Sequence, residues 1–268
     1  MPRKFTSVID AFGPDSPFAT EFRRLLHQVR HSPRVPELKT LMITSSMLGE
    51  GKSTITAFLG ITAARQKGLK TLIVDTDLRR PTIHRLFNVE RKGGLAEVLI
   101  DGFTPLDAAQ KTAIDKLDVI TSGRVAESAA DVFDAEAIGC LLDDLRLYYD
   151  LILIDCAPLV PVSDPMLLAG KVDGIAIVIK AGETPREVVR RGVEVLGDDR
   201  KRIVGVVVNN LRNMLPYYYD YSYYGYEYFG KSSTADHGDK GTKKEKGPDT
   251  RSRKKAPGNT ADNALRQQ

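Results

Sequence analysis

Two features predict an α/β protein built on a doubly wound, mostly parallel sheet with helices on both faces. Apolar runs that end in Asp or Asn alternate with helical stretches, and one of these runs leads into a glycine-rich turn that opens a helix. A single domain followed by a disordered tail accommodates all of them. The tail begins where large apolar residues give out, after Gly230.

The glycine-rich turn, within MITSSMLGEGKST (Met42 to Thr54), organises the rest. Glycines at 49 and 51 let backbone N–H groups close around a polyphosphate, and the helix that follows points its positive end at the same oxygens. Ser46, Gly49, Glu50, Gly51, Lys52, Ser53 and Thr54 form the predicted nucleotide cradle, with Lys52 neutralising the β and γ phosphates and the Ser53 hydroxyl holding Mg²⁺. Ser46 stands where G-x-x-x-x-G-K-[ST] has its first glycine, and a small residue suffices there. The chain is therefore expected to be a P-loop NTPase that takes ATP and Mg²⁺.

Residues 1–17 are polar, contain three prolines and read as an irregular leader. Phe18, Phe22, Leu25, Leu26 and Val29 then fall at helical spacing, which predicts an amphipathic helix and linker over 18–36, outside the nucleotide core. Packing on its own domain and contact with another subunit both fit that helix. The first strand is expected over Leu38–Thr44 and the loop's helix over Lys52–Gln66, stopped by Gly68. Leu72–Val74 is a buried run ending in Asp75 and Asp77, followed by Arg79, Arg80 and Pro81. Leu117–Thr121 is a shorter strand, Ala135–Tyr149 is helical, and Leu151–Ile154, apolar on both faces, delivers Asp155. Gly174–Ala181 and Ile203–Asn210 are two further buried strands. Between them Thr184, Pro185, Arg186 and Glu187 read as a capping box with proline at the first helical position.

At 268 residues, with 42% hydrophobic and 28% charged residues, the composition is that of a globular protein. The sequence lacks an apolar run of the roughly 20 residues that span a bilayer, and the N-terminus has no signal-like segment, so a cytoplasmic location is expected. Cys140 and Cys156, the only cysteines, fit a reducing compartment and read as small buried residues. The net charge of +4 resides in the tail: from Lys231 onward ten Lys/Arg face five Asp/Glu, leaving 29 against 30 elsewhere. A near-neutral folded part gives no footprint for nucleic acid.

In a doubly wound sheet the ligand sits beyond the carboxyl ends of the strands, so Asp75, Asp77 and Asp155 should meet the phosphates there. With Ser53, Asp75 and Asp155 are assigned to the metal shell. Asp77 is assigned to orient or deprotonate the acceptor, and Arg79 or Arg80 to steady developing negative charge. Asn209, at the last strand's end, is a candidate for adenine recognition.

Tyr217, Tyr218, Tyr219, Tyr221, Tyr223, Tyr224, Tyr226 and Tyr228 lie within twelve residues, interrupted by Asp220, Ser222, Gly225 and Glu227. Burial, a stacking surface and a phosphoacceptor segment are the three readings of such a run; the absence of interleaved basic residues speaks against stacking on nucleic acid.

Together the phosphate loop, LIVDTDLR, LILID and the tyrosine cluster resemble the bacterial tyrosine kinases that control capsule and exopolysaccharide synthesis, over about residues 18–230. The resemblance places Walker A on Ser46–Ser53, A′ on Asp75 with Asp77, and B on Asp155. It implies a kinase domain over 37–214, a phosphoacceptor cluster over 215–230 and a disordered basic tail over 231–268. It also implies autophosphorylation between subunits of a ring, a cognate tyrosine phosphatase, and activation by a membrane polysaccharide co-polymerase, here on a separate polypeptide that would hold the kinase at the inner face of the plasma membrane. Three positions depart from the family pattern. Thr20 and Leu26 stand where the N-terminal helix has a Glu and its second Arg, Cys156-Ala157-Pro158 follows the B aspartate, and Arg124–Ala130 replaces a Pro-rich loop. Full modification of the tyrosines would add roughly −12 to −16 charges, enough to drive the segment away from bound ATP. From Asn210 to Tyr218 the chain spans at most about 26 to 29 Å, within reach of the sheet edge. Two rivals share the fold: a MinD/ParA-type positioning ATPase, whose extra loop lysine is replaced here by Met47, and a nucleotide-dependent interaction module without kinase activity.

Overall fold

The computed structural model describes residues 17–124 and 133–210. The leader, most of the segment replacing the Pro-rich loop, the tyrosine cluster and the basic tail lie outside them. Along the chain run α1 (Pro17–Arg30), β1 (Thr40–Ser45), α2 (Lys52–Lys67), β2 (Thr71–Asp75), α3 (Ile83–Phe87), α4 (Leu95–Asp101), β3 (Gln110–Lys111), β4 (Leu117–Ile120), α5 (Ala135–Leu145), β5 (Leu151–Asp155), α6 (Asp164–Ala169), β6 (Gly174–Lys180), α7 (Arg186–Val195), a 3₁₀ turn (Gly197–Arg202) and β7 (Ile203–Asn209).

The strands form one sheet in the order β3-β4-β2-β5-β1-β6-β7, parallel throughout except for the short β3, which pairs antiparallel with β4. The strand order reverses around β1, which places the phosphate loop at the topological switch point. Strand residues divide by parity between two cores, the reason central parallel strands read as unbroken apolar runs. Leu41, Ile43, Ile73 and Leu153 pack beneath α1 and α2, whereas Met42, Leu72, Val74 and Ile154 pack beneath α4, α5 and α6.

The first helix is part of the core rather than an element outside it. Ala19, Phe22, Leu26 and Val29 are buried on α2, and the Phe22 and Phe58 rings meet tilted with centroids 5.4 Å apart, with Phe18 edge-on to both. That burial settles its apolar stripe on its own domain. Arg23 and Arg24, on the other side, stay exposed. Gly68, at φ 65°, closes α2 by donating to the carbonyls of Ala63 and Ala64, as expected for a left-handed helix stop.

Three further expectations change. The Ala135–Tyr149 stretch stops as a helix at Leu145, and the Tyr149 ring turns inward to donate its hydroxyl to Asp118 at 2.9 Å. Cys140 is exposed, because it falls on the solvent side of α5, while Cys156 is buried behind β5. Among the described residues β7 is an edge strand with a neighbour on one side only, and Val206 and Val208 are exposed on it.

Candidate active site

β1 ends at Ser45 and the chain turns through residues 46–51 into α2. Gly49 (φ 79°) and Gly51 (φ 92°) adopt backbone that L side chains resist. A Cβ on Gly51 would lie 2.3 Å from the Asn209 amide nitrogen, so this turn needs glycine for space as well as for φ. Ser46 is fully buried against α7, where Gly192 leaves room: a Cβ there would come within 3.1 Å of the Ser46 hydroxyl. This close approach explains a small residue at the loop's first position. Thr54 follows on the exposed side of the first helical turn.

An acid within an anion-binding loop needs an explanation, and the structure supplies one. Glu50 is buried and turns its carboxylate back into the protein, where one oxygen accepts from the Met47 N–H at 2.7 Å and the other from the Thr184 hydroxyl. Thr184 in turn accepts from the Lys180 N–H at 2.9 Å. The predicted capping box is therefore absent. α7 begins after Pro185 without a side-chain cap, and Thr184 braces the phosphate loop instead. Asn209 makes the second brace, its Nδ2 donating to the Glu50 carbonyl at 2.9 Å while its Oδ1 accepts from Asn210 N–H. One Nδ2 hydrogen is left for a base. We expect Thr184→Val to lower nucleotide affinity about 5- to 10-fold and stability by about 1–3 kcal/mol, since Glu50 would lose a buried donor. Nucleotide titration and a thermal melt check this, and Thr184→Ser should restore both.

The three aspartates converge as predicted. β2 and β5 are adjacent and pair Asp75 with Asp155 in register, so both carboxylates leave the sheet at one edge. Lys52 Nζ lies 2.9 Å from Asp77 Oδ2, 3.6 Å from Asp155 Oδ1 and 3.3 Å from Ser53 Oγ. Asp75 and Asp77 also shape their own loop. Asp75 accepts from the Asp77, Thr82 and Ile83 N–H groups at 3.1–3.2 Å, and Asp77 Oδ1 accepts from Arg80 N–H at 2.9 Å. Arg80 is exposed, and Arg79 reaches across to Asp164, Nε to Oδ2 at 3.3 Å.

Burial, and then the neighbouring Asp155, push the Asp75 carboxyl up to about 8. Burial likewise raises Asp155. For Lys52 burial alone would depress the ammonium, but Asp155, Asp77 and Asp75 outweigh it and hold the group above its ordinary value. Lys52 is thus the cation that the carboxylates demand.

Among the described residues no three His, Cys, Asp or Glu side chains gather into a metal site by themselves. The donor set nevertheless fits Mg²⁺, which usually takes one or two carboxylates and completes its shell with water and nucleotide oxygens. Neither oxygen of Asp155 receives a hydrogen bond of ordinary geometry despite full burial, and the Ser53 hydroxyl opens the same helix as Lys52. Asp75 has most of its acceptor capacity committed to its loop, which leaves Asp155 and Ser53 as the better-placed pair.

Sequence reasoning missed Thr184 and Asp164 in the site. The first looked like a helix cap; the second, in VSDP after the Asp155 strand, carried no signal of a partner 85 residues away.

A sheet with its switch point at a glycine-bent phosphate loop, acidic strand ends and an inward lysine define a nucleotide-binding P-loop NTPase. The family model ParA, described as NUBPL iron-transfer P-loop NTPase, matches residues 38–241, and the chain belongs to that family. Within it, the chain belongs to the bacterial tyrosine-protein kinases. It is 32% identical over 219 residues to the tyrosine-protein kinase YwqD of Bacillus subtilis, covering 82% of this chain and 91% of that one. Of solved structures, the chimerical protein CapA2B2 matches with a TM-score of 0.70 at 33% identity, covering 77% of this chain and 90% of that one. The kinase domain of the Escherichia coli tyrosine kinase ETK matches with a TM-score of 0.71 at 26% identity, covering 81% and 86%.

Proposed function

We propose that this chain is an ATP-dependent protein-tyrosine autokinase that phosphorylates its own cluster, Tyr217 to Tyr228, and thereby regulates capsule or exopolysaccharide synthesis. One observation carries the reading. Lys52 bridges Asp77 and Asp155, and Asn209, the last residue of β7, touches the same loop, so the described chain ends beside the phosphate cradle, eight residues before Tyr218.

On binding ATP, Lys52 moves from Asp77 to the β and γ oxygens. Asp77 is left facing the γ-phosphoryl group without its cation and accepts the tyrosine hydroxyl proton as the phenolic oxygen bonds to phosphorus and the bond to ADP breaks. Ser53 and Asp155 would hold Mg²⁺, which when bound neutralises phosphate charge. Arg79 steadies the charge on the group in flight. Tyr149 is excluded as an acceptor by its buried bond to Asp118.

The relatives' family supports three further assignments: a separate membrane co-polymerase as activator, a ring-forming homo-oligomer, and a cognate phosphatase that resets the cluster. No helix among the described residues is long and apolar enough to cross a membrane; placement at the inner face of the membrane is assigned to the activator as part of this reading. The positioning-ATPase reading has less support, because Met47 occupies the place of the second loop lysine and is 41% exposed there.

The test incubates the purified chain with Mg·ATP, with and without the candidate activator, and probes for phosphotyrosine. Signal is expected on the full chain and not on one ending at Met214. Equal signal on the truncated chain would move the acceptor to the exposed Tyr148, and none on either, with activator present, would leave a nucleotide-dependent interaction module.

A further inference from the structure

Beyond the three carboxylates around Lys52 and the loop's own Glu50, another buried carboxylate, Asp164, reaches the loop that follows Asp77. Asp164 opens α6, nine residues past Asp155, and its side chain is 2% exposed. Its ion-pair partner is Arg79, at 3.3 Å through Nε only. An arginine has five N–H donors, so the terminal Nη groups remain unspent on Asp164 and the guanidinium is held without being consumed.

The surrounding contacts show why this pair matters. The loop carrying Arg79 is folded almost entirely on its own carboxylates, with Asp75 collecting the Asp77, Thr82 and Ile83 N–H groups and Asp77 collecting that of Arg80. Those bonds fix the backbone of residues 75–83 but do not fix a long side chain projecting from its tip. Left alone, the Arg79 side chain, 40% exposed, would sample many rotamers in water. Asp164 comes from a separate element, packed against β1 and α5, and among the described residues it supplies the anchored anion that selects among those rotamers.

The geometry points to Asp164 as a positioning residue that aims the Arg79 guanidinium at the phosphoryl group being transferred. This rests on the role given to Arg79 above. The Arg79 end of this pair is part-solvated and screened, so its attraction to the buried Asp164 adds little to folding. Its effect belongs to orientation, where a preset donor is worth far more at the transition state than a mobile one. A carboxylate touching only Nε suits that task better than a bidentate clasp, which would occupy the donors a phosphate needs.

The experiment uses the full chain as wild type, Asp164→Asn, Arg79→Ala and the double variant. Affinity is measured for ADP alone and for ADP with aluminium fluoride, which mimics the phosphoryl group in transfer. Asp164→Asn should lose about 10-fold in the aluminium fluoride complex, stay within about 2-fold for ADP alone, and cost nothing further once Arg79 is gone. Asp164→Glu keeps the charge and should fall between Asn and wild type. Additive losses, an unchanged analogue affinity in Asp164→Asn, or an equal loss for ADP would overturn the assignment. If Asp164→Asn fails a thermal melt, Asp164→Glu decides: its loss must be confined to the analogue and vanish in the Arg79→Ala background. The readout needs no tyrosine, so the two readings fail separately. Analogue behaviour as expected without phosphate on the tail sinks only the tyrosine acceptor, and a modified tail with an unaffected analogue sinks only Asp164.

Discussion

Lys52→Met abolishes transfer, with phosphotyrosine formation expected to fall at least about 10³-fold and nucleotide affinity about 10²-fold. Two losses combine. The ammonium that neutralises the phosphates is gone, and preorganised cations at such positions are each worth about 10²–10³ in rate. In addition, Asp75, Asp77 and Asp155 are left beside one another, nearly or fully buried, with their shared cation removed. Removing one partner of a buried pair costs about 3–5 kcal/mol while the other stays charged, so Asp75 and Asp155 will take up protons instead. Burial, then Asp155 beside Asp75 and Asp77 beside Asp155, already hold Asp75 and Asp155 high, and the substitution pushes them the same way. A carboxyl whose folded value is raised above its unfolded value favours folding at low pH and loses that advantage as pH rises through the folded value. The variant without nucleotide should therefore melt at progressively lower temperature between about pH 4 and pH 8, more steeply than wild type. Phosphotyrosine detection, nucleotide titration and melts across pH test the three parts, and wild-type-like transfer would remove Lys52 from the mechanism.

Asp77→Asn is the second large effect and separates chemistry from binding. Asparagine keeps the volume, and its carbonyl oxygen still accepts the Arg80 N–H, so the loop over residues 75–83 holds its shape. What disappears is the anion beside Lys52, 2.9 Å away, and with it the acceptor for the tyrosine proton. Transfer should drop about 10³-fold while ATP affinity stays within about threefold of wild type, since Lys52 no longer has to leave a carboxylate to reach phosphate. Single-turnover phosphorylation alongside nucleotide titration distinguishes these. Equal loss of both would place Asp77 in binding and take the proton-acceptor role from it.

Much of the site was legible because its chemistry is local in sequence. Glycines at 49 and 51, Lys52 and Ser53 lie in one turn, and Asp75, Asp77 and Asp155 each end an apolar run, so a parallel sheet brings them to one edge. Thr184 was read as a helix cap because Thr, Pro and Glu at that spacing form caps far more often than they brace a distant loop. Its actual partner, Glu50, is 134 residues away. The first helix announced its apolar stripe but not what covers it, and β7 looked like a buried strand because valines do not declare whether a neighbour lies on both sides.

The amino-acid sequence by itself determined the alternating architecture, the phosphate loop with its lysine, and two strand ends carrying three aspartates. These follow from periodicity and from short motifs whose geometry is fixed within a few residues. Tertiary structure alone decided that Lys52 rests on Asp77 and Asp155, that Thr184 and Asn209 brace the loop through Glu50, and that Asp164 holds Arg79. Each of these joins side chains from separate elements, and the sheet order that makes them neighbours is set by global packing of two apolar cores rather than by any local pattern.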